Sequence, residues 1–406
     1  MKLIWGVLTT LILAAVSSAS SAQEVQTLDE LVQLYDSSSC KVCHQEIYEE
    51  WEQSLHARPL YGPIGRTLAT FRGYVLSRDT ELKKSLEVAP GMREFLKPCI
   101  ECHLPQMMDA SEEVANELAR AIIDEDEEVL DKLQITCIVC HNRNAILRKF
   151  RDGNPRPDTI YGPGFSGPHG DSRFPKAAKN EMMADTIFCA QCHQGPNVQH
   201  YDEPMWCTST FDSHQHFYVP MGGTQSCQDC HMRNEGGHSF PPNYQNIAET
   251  SARLQEWIDL NLTIIAYRMK PDAVNLIPMV VIDAEVVSRI GHRFPDGCPS
   301  PNRVTLDVKV SAQDGQELFQ KNIIYMPQHK MGYAEDTMVY AADRKLTLIR
   351  DTSLHPFVPK KETIEVVLPD GIEDVVVEAV LTFRQLPGIP EVEFPIHHVT
   401  RAVRLR

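Results

Sequence analysis

The sequence predicts an α+β fold in two parts, a mainly helical and irregular segment followed by an antiparallel β-sandwich of immunoglobulin-like type. Two observations predict it. Five copies of C-x-x-C-H all fall between Cys40 and His231. From about Leu254 the pattern changes to short apolar runs of strand period, separated by turn signals. The expected organisation is a signal peptide over 1–22, a motif-bearing domain over 23–250 and a sandwich over 251–406.

In chain order, Lys2 opens a positively charged start, Leu3 to Val16 is a short apolar stretch, and Ser20-Ser21-Ala22 offers a small-residue cleavage site. The apolar stretch is too short to span a bilayer comfortably, so removal after Ala22 is expected, leaving 384 of the 406 residues. No later segment is apolar enough to span a membrane. Glu46 to Leu55 reads as a helix that follows the first motif, and Ser111 to Ala121 and Glu125 to Leu133 as helices with acidic starts. Between Phe150 and Lys176 the composition turns to Gly, Pro, Asp and Asn, as in a long irregular loop. Strands are expected over 259–265, 280–287, 304–310, 363–367 and 375–381, with turns at Asp314-Gly315 and Pro369-Asp370-Gly371.

Each C-x-x-C-H motif reads as a covalent attachment site for one c-type haem. The thiols of Cys40 and Cys43, Cys99 and Cys102, Cys137 and Cys140, Cys189 and Cys192, and Cys227 and Cys230 form thioethers to the porphyrin. The adjacent His44, His103, His141, His193 and His231 become proximal iron ligands. Five repeats with His at one offset exclude chance. A zinc ribbon pairs two C-x-x-C units without requiring a following His, so zinc knuckles and disulfides are the weaker reading. About one haem per forty residues leaves little room for a side-chain core, and the porphyrins are expected to serve as one. Cys207 and Cys298 remain, to pair as a disulfide or, in the sharper reading, for one thiolate to ligate an iron.

Six-coordinate haems need one more donor each, and eleven histidines lie outside the motifs. Cys40 to Pro59, CKVCHQEIYEEWEQSLHARP, resembles the first haem segment of the tetrahaem cytochrome that accepts electrons from hydroxylamine oxidoreductase in ammonia oxidisers. That superfamily shares haem-packing motifs with hydroxylamine oxidoreductase and pentahaem nitrite reductase. The resemblance implies that His56, in a W-x-x-S-x-H-A pattern with Trp51, is a distal ligand to a different haem. By the same resemblance His169 (in Gly167-Pro168-His169), His238 (after the C-Q-D-C-H-M motif) and His292 (in a G-H-x-x-P-x-G pattern) are distal candidates. Phe211 to His216 repeats the Trp51 to His56 spacing and nominates His216 over His214. His200, His214 and His329 stand in reserve, and His355, His397 and His398 belong to the sandwich.

Without Lys2 the chain has 38 Lys+Arg against 55 Asp+Glu, a formal charge of −17. That argues against nucleic acid and anionic membranes as partners and permits basic redox proteins, cytochromes or a quinol-linked donor. The run Asp124 to Glu128 reads as a solvated helix start, with a docking patch as the other reading. Haem attachment to C-x-x-C-H takes place outside the cytoplasm, so an exported protein is expected, in the periplasm or beyond it. The leading function is electron transfer through five closely packed, mostly bis-His haems. The rival is a reductase of a small oxyanion or of a nitrogen or sulfur compound at one five-coordinate haem. No C-x-x-C-K occurs, unlike in pentahaem nitrite reductases. A third reading is a structural or filament-forming cytochrome whose sandwich docks to a neighbour.

Overall fold

The computed structural model describes residues 24–61, 66–76, 91–146, 155–196, 206–232, 237–242, 244, 246–272, 274–296, 302–331, 338–339, 345–385 and 392–405. The expected signal peptide, His200 and Cys298 lie outside these residues, as do the side chains of Cys207 and His329.

The first part is helical where the sequence offers an apolar stripe and a cap. Helix α1 (Leu28–Leu34) starts at Thr27, whose side chain accepts the Glu30 amide. Helix α2 (Gln45–Glu52) follows the first motif directly. Helices α3 (Arg66–Leu76) and α4 (Met92–His103) come next, and the second motif forms the last turn of α4. Helix α5 (Glu112–Asp124) is capped by Ser111 and buries Val114, Ala115, Leu118, Ala119, Ala121 and Ile122, one face at helical spacing. Glu125 takes a left-handed conformation (φ 53°) that ends α5, and Asp126 caps the single turn α6 (Glu127–Leu130).

These helices pack into a real side-chain core. Leu31, Leu60, Leu96, Ile100, Leu104, Met107, Leu118 and Ile122 are all fully buried in one cluster. The expectation that porphyrins alone would form the interior is therefore corrected. The reason lies in spacing: the stretches from His44 to Cys99 and from His103 to Cys137 hold no motif between them, so their apolar faces are free to pack on one another. Burying each such Leu contributes about 1.5–3 kcal/mol.

The expected loop over 150–176 also contains order. Strands β1 (Thr159–Gly162), β2 (Gly167–Pro168) and β3 (Lys176–Lys179) form a small sheet in the order β1-β3-β2. It fixes the following His169, whose amide donates to the Pro175 carbonyl at 2.8 Å. The third motif runs into a wide turn at Val139–Arg143, and the fourth ends helix α7 (Thr186–His193). Strands β4 (Gly195–Pro196) and β5 (Trp206–Thr208) pair, and a turn α8 (Thr210–Ser213) follows. The fifth motif is the short helix α9 (Cys227–His231), closed at its start by a reciprocal Ser226–Asp229 capping box.

Helix α10 (Ile247–Trp257) spans the expected boundary at residue 250 and packs on the last strand of the second part. Ten strands then follow among the described residues: β6 (Ile258–Met269), β7 (Ile277–Ser288), β8 (Arg303–Ala312), β9 (Glu317–Tyr325), β10 (Pro327–Met331), β11 (Met338–Val339), β12 (Lys345–Asp351), β13 (Lys360–Val367), β14 (Asp374–Gln385) and β15 (Val392–Arg404). They pair antiparallel in sheets β13-β7-β6, β15-β14-β8-β9 and β11-β10-β12. The first two sheets share one core: Val280, Ile282 and Val286 from one, and Leu306, Val308, Val377, Leu381 and Phe383 from the other. Each of the five expected strands lies inside a longer one. No helix among the described residues is long and apolar enough to cross a membrane.

Candidate haem-binding site

One cavity of about 2000 Å³ runs through the first part, lined by all ten motif cysteines and all five motif histidines. His56, His169, His238 and His292 line it too. His56 sits in the short turn Leu55–Ala57 after α2, where Ser54 caps the turn and the Trp51 indole donates to the Ile135 carbonyl at 2.9 Å. His238 is held by its amide, which donates to Glu50. His292 comes from the stretch after β7.

The histidines meet in pairs. Ring centres are 6.4 Å apart for His44 and His169, 6.3 Å for His193 and His56, 6.2 Å for His141 and His238, and 6.4 Å for His231 and His292. An imidazole nitrogen lies about 2 Å from a metal ion it ligates, with the ring centre about 1.1 Å behind it, so two imidazoles on opposite sides of one ion stand about 6.3 Å apart. Each pair joins one motif histidine to one outside the motifs. Direct stacking brings ring centres closer and needs no such gap. The four pairs fit a six-coordinate haem iron.

The second ring nitrogen supports this fit. Nδ1 of His141 is 2.7 Å from the Tyr161 carbonyl, that of His169 is 2.8 Å from Phe174 O, and that of His292 is 2.9 Å from Arg293 O. His231 Nδ1 likewise faces the Pro241 carbonyl. A carbonyl only accepts, so Nδ1 carries the proton and Nε2 keeps its lone pair for the partner side. Burial disfavours the cationic imidazolium, with neighbouring histidines adding to the effect on His56, whose pKa falls to about 3. Burial also holds His103 down at about 4 and lowers His141, His193 and His292. The neutral imidazole is the ligating form.

The fifth motif histidine stands apart. His103 faces Phe71 of α3, with ring centres 5.5 Å apart and planes perpendicular. Thr67, Thr70, Phe71 and Tyr74 form one face of α3 and line the cavity. Among the described residues no imidazole is paired with His103. His216 does not supply one: it is exposed outside the cavity, its Nε2 3.2 Å from Asp212. Its spacing from Phe211 matches that of His56 from Trp51, but here the chain continues from α8 into a wide helical turn and carries the ring outward. His214 is the buried one of the two, and its Nε2 contacts the Gln225 carbonyl at 3.1 Å.

The motifs also touch each other. The Cys40 side chain neighbours that of Cys137, Cys102 that of Cys192, and Cys189 that of Cys227. The first motif thus neighbours the third, and the fourth neighbours both the second and the fifth. Gln191 of the fourth motif donates to the Asn144 carbonyl just beyond the third, at 3.1 Å. Phe71 had no sequence signal as a site residue, because an aromatic on the inner face of a helix reads as core.

No family model matches the chain, and no curated protein matches it. Among solved structures it is similar to a penta-heme cytochrome c552 from Thermochromatium tepidum, at 19% identity, over 91% of this chain and 99% of that one, with a TM-score of 0.59. It also aligns with the C-terminal domain of wzt (8% identity, 37% of this chain and 73% of that one, TM-score 0.21) and with AT1g01470 from Arabidopsis thaliana (15% identity, 35% and 78%, TM-score 0.19). Scores that low carry no argument. The likeness to the cytochrome extends over both parts of the chain and shows a shared fold.

Proposed function

We propose that the chain is an exported pentahaem c-type cytochrome that passes electrons between redox partners. The observation that carries this is the set of four imidazole pairs at 6.2–6.4 Å, each with one motif histidine. The shared fold with a penta-heme cytochrome supports it. Bound haem iron supplies a one-electron couple. The ten motif cysteines tether it, the five motif histidines ligate it, and His56, His169, His238 and His292 complete four coordination shells. An imidazole on each side leaves no position for a substrate, so these four sites only carry electrons. The neighbouring motif cysteines and the Gln191–Asn144 hydrogen bond support a branched path: the first site joins the third, the third joins the fourth, and the fourth joins the second and the fifth.

The second part, in this reading, is an immunoglobulin-like sandwich that caps the cavity and contributes His292. The partners are small redox proteins, cytochromes or a quinol-linked donor, reached in the periplasm or outside the cell. The superfamily of the hydroxylamine oxidoreductase partner remains the proposed kinship, on the motif resemblance of residues 40–59.

A second reading attaches to one site. His103 faces a phenyl ring, which has no donor atom, so the haem at Cys99–His103 is proposed to be five-coordinate. This keeps the reductase alternative alive at that site alone.

Intact mass and EPR of the pure oxidised protein test both readings. Five covalent haems with four low-spin signals and one high-spin signal are expected. Fewer than five haems in mature protein defeats the cytochrome count, and five low-spin signals remove the open site.

A further inference from the structure

Behind His292 stands a buried ion cluster. The stretch 290–296 is pinned to the opposite segment, where Phe294 and Leu354 exchange backbone hydrogen bonds of 2.8 and 2.7 Å and the Phe357 amide donates to Ser288 O at 2.7 Å. Arg293 is the centre of the cluster. Its amide donates to Ser213 Oγ of α8 at 2.7 Å, across the contact between the two parts of the chain. Its guanidinium donates to Asp351 Oδ2 at 3.1 Å and to Asp296 Oδ1 at 3.0 Å. The Arg293, Asp296 and Asp351 side chains are only 14%, 4% and 17% exposed.

Two carboxylates share one guanidinium, so the three side chains together carry one uncompensated negative charge. Asp351 spreads its charge over the Ser353 amide and hydroxyl and over His355, whose Nε2 is 3.5 Å away. Asp296 does not. Its Oδ2 is buried with no hydrogen-bond partner among the described residues, and the residue lines the same cavity as His292. A carboxylate oxygen left unpaired in the interior costs solvation that an apolar residue would not.

We propose that Asp296 sets the potential of the haem at Cys227–His231: its carboxylate, fixed in the cavity wall by Arg293 four residues along from His292, favours the ferric iron and lowers the midpoint of that site. The inference rests on reading Cys227–His231 with His292 as a bis-His haem site. Oxidised iron carries one positive charge more than reduced iron, so a fixed negative charge in the low-dielectric interior stabilises the oxidised form more. Arg293 offsets part of this field, and Asp351, on its far side, takes up part of the Arg293 charge.

The test is a spectroelectrochemical titration of holoprotein, with wild type, Asp296→Asn, Asp296→Glu and Asp351→Asn side by side. Asn keeps the shape and an oxygen for Arg293 but loses the charge. One low-spin haem is expected to become easier to reduce by about tenfold in its equilibrium constant, about 59 mV for one electron. Asp296→Glu returns it toward wild type, and Asp351→Asn, which can be read even if Asp296→Asn does not fold, moves the same haem upward by less. A purely structural role predicts no such charge-specific reversal. Five haems with unmoved midpoints in both Asn variants overturn this proposal alone. A wild-type haem content below five overturns the underlying site reading and the proposal with it.

Discussion

At the scale of single residues, the histidines divide by what they face. Replacing His56 with Ala removes the ring opposite His193, and one low-spin haem is expected to become high-spin or shift its potential strongly. An unchanged EPR spectrum and redox titration would take His56 off the ligand list. Replacing Phe71 with His is the reverse experiment, since it offers an imidazole where the phenyl ring faces His103. The expected result is loss of the high-spin signal and of carbon monoxide binding by the reduced protein; a high-spin signal that persists unchanged counts against α3 as the distal wall of that site. Asp351 also has a consequence for stability. Burial pushes its carboxyl up, but hydrogen bonds from His355 and Ser353 and the charge of Arg293 outweigh that and hold it well below the usual range. Its contribution is therefore present above the ordinary Asp value of about 3.9 and is lost as pH falls below it. Denaturation midpoints of wild type and Asp351→Asn should differ at pH 7 and draw steadily together as the pH falls below about 3.9.

At the scale of elements, α5 is the keystone of the first part's side-chain core. Leu118 is fully buried between α3 and α4, so Leu118→Ala is expected to cost about 2–5 kcal/mol, read as a lower denaturant midpoint with the haem content unchanged. The two large sheets have a core of their own that draws on no motif residue. A fragment from about Leu254 to Arg406 is expected to fold without haem and to bind none covalently. Sharp amide NMR dispersion from that fragment is the check. An unfolded fragment would mean that the Arg293 cluster and its contact with Ser213 are needed to hold the sheets together.

At the scale of the whole molecule, the proposed electron path requires the paired imidazoles and neighbouring motif cysteines of the cavity to act together rather than as five separate sites. The protein is expected to exchange electrons quickly with small redox proteins and to show little steady-state turnover of nitrite, hydroxylamine or sulfite with reduced viologen. Rapid turnover that is lost when cyanide occupies one high-spin haem would falsify the carrier reading and move the activity to the His103 site.

The sequence by itself determined the proposed attachment chemistry, because the motif for thioether formation and proximal ligation needs only five neighbouring residues at fixed spacing. It also determined the α+β order and five of the strands, since strand alternation is a local signal. His56, His169, His238 and His292 were legible through patterns around them, and all four line the cavity opposite a motif histidine. His216 was misjudged because spacing from an aromatic does not say which way a ring turns; the wide turn after α8 does. The small sheet that holds His169 was hidden in Gly- and Pro-rich chain, where pairing is non-local. Only the tertiary structure decided which histidine meets which, that His103 faces Phe71, and that Arg293 gathers Asp296 and Asp351. The physical reason is the same in each case: those contacts join residues far apart in the chain, 137 positions for His56 and His193, and they exist only once helices and sheets close around one cavity.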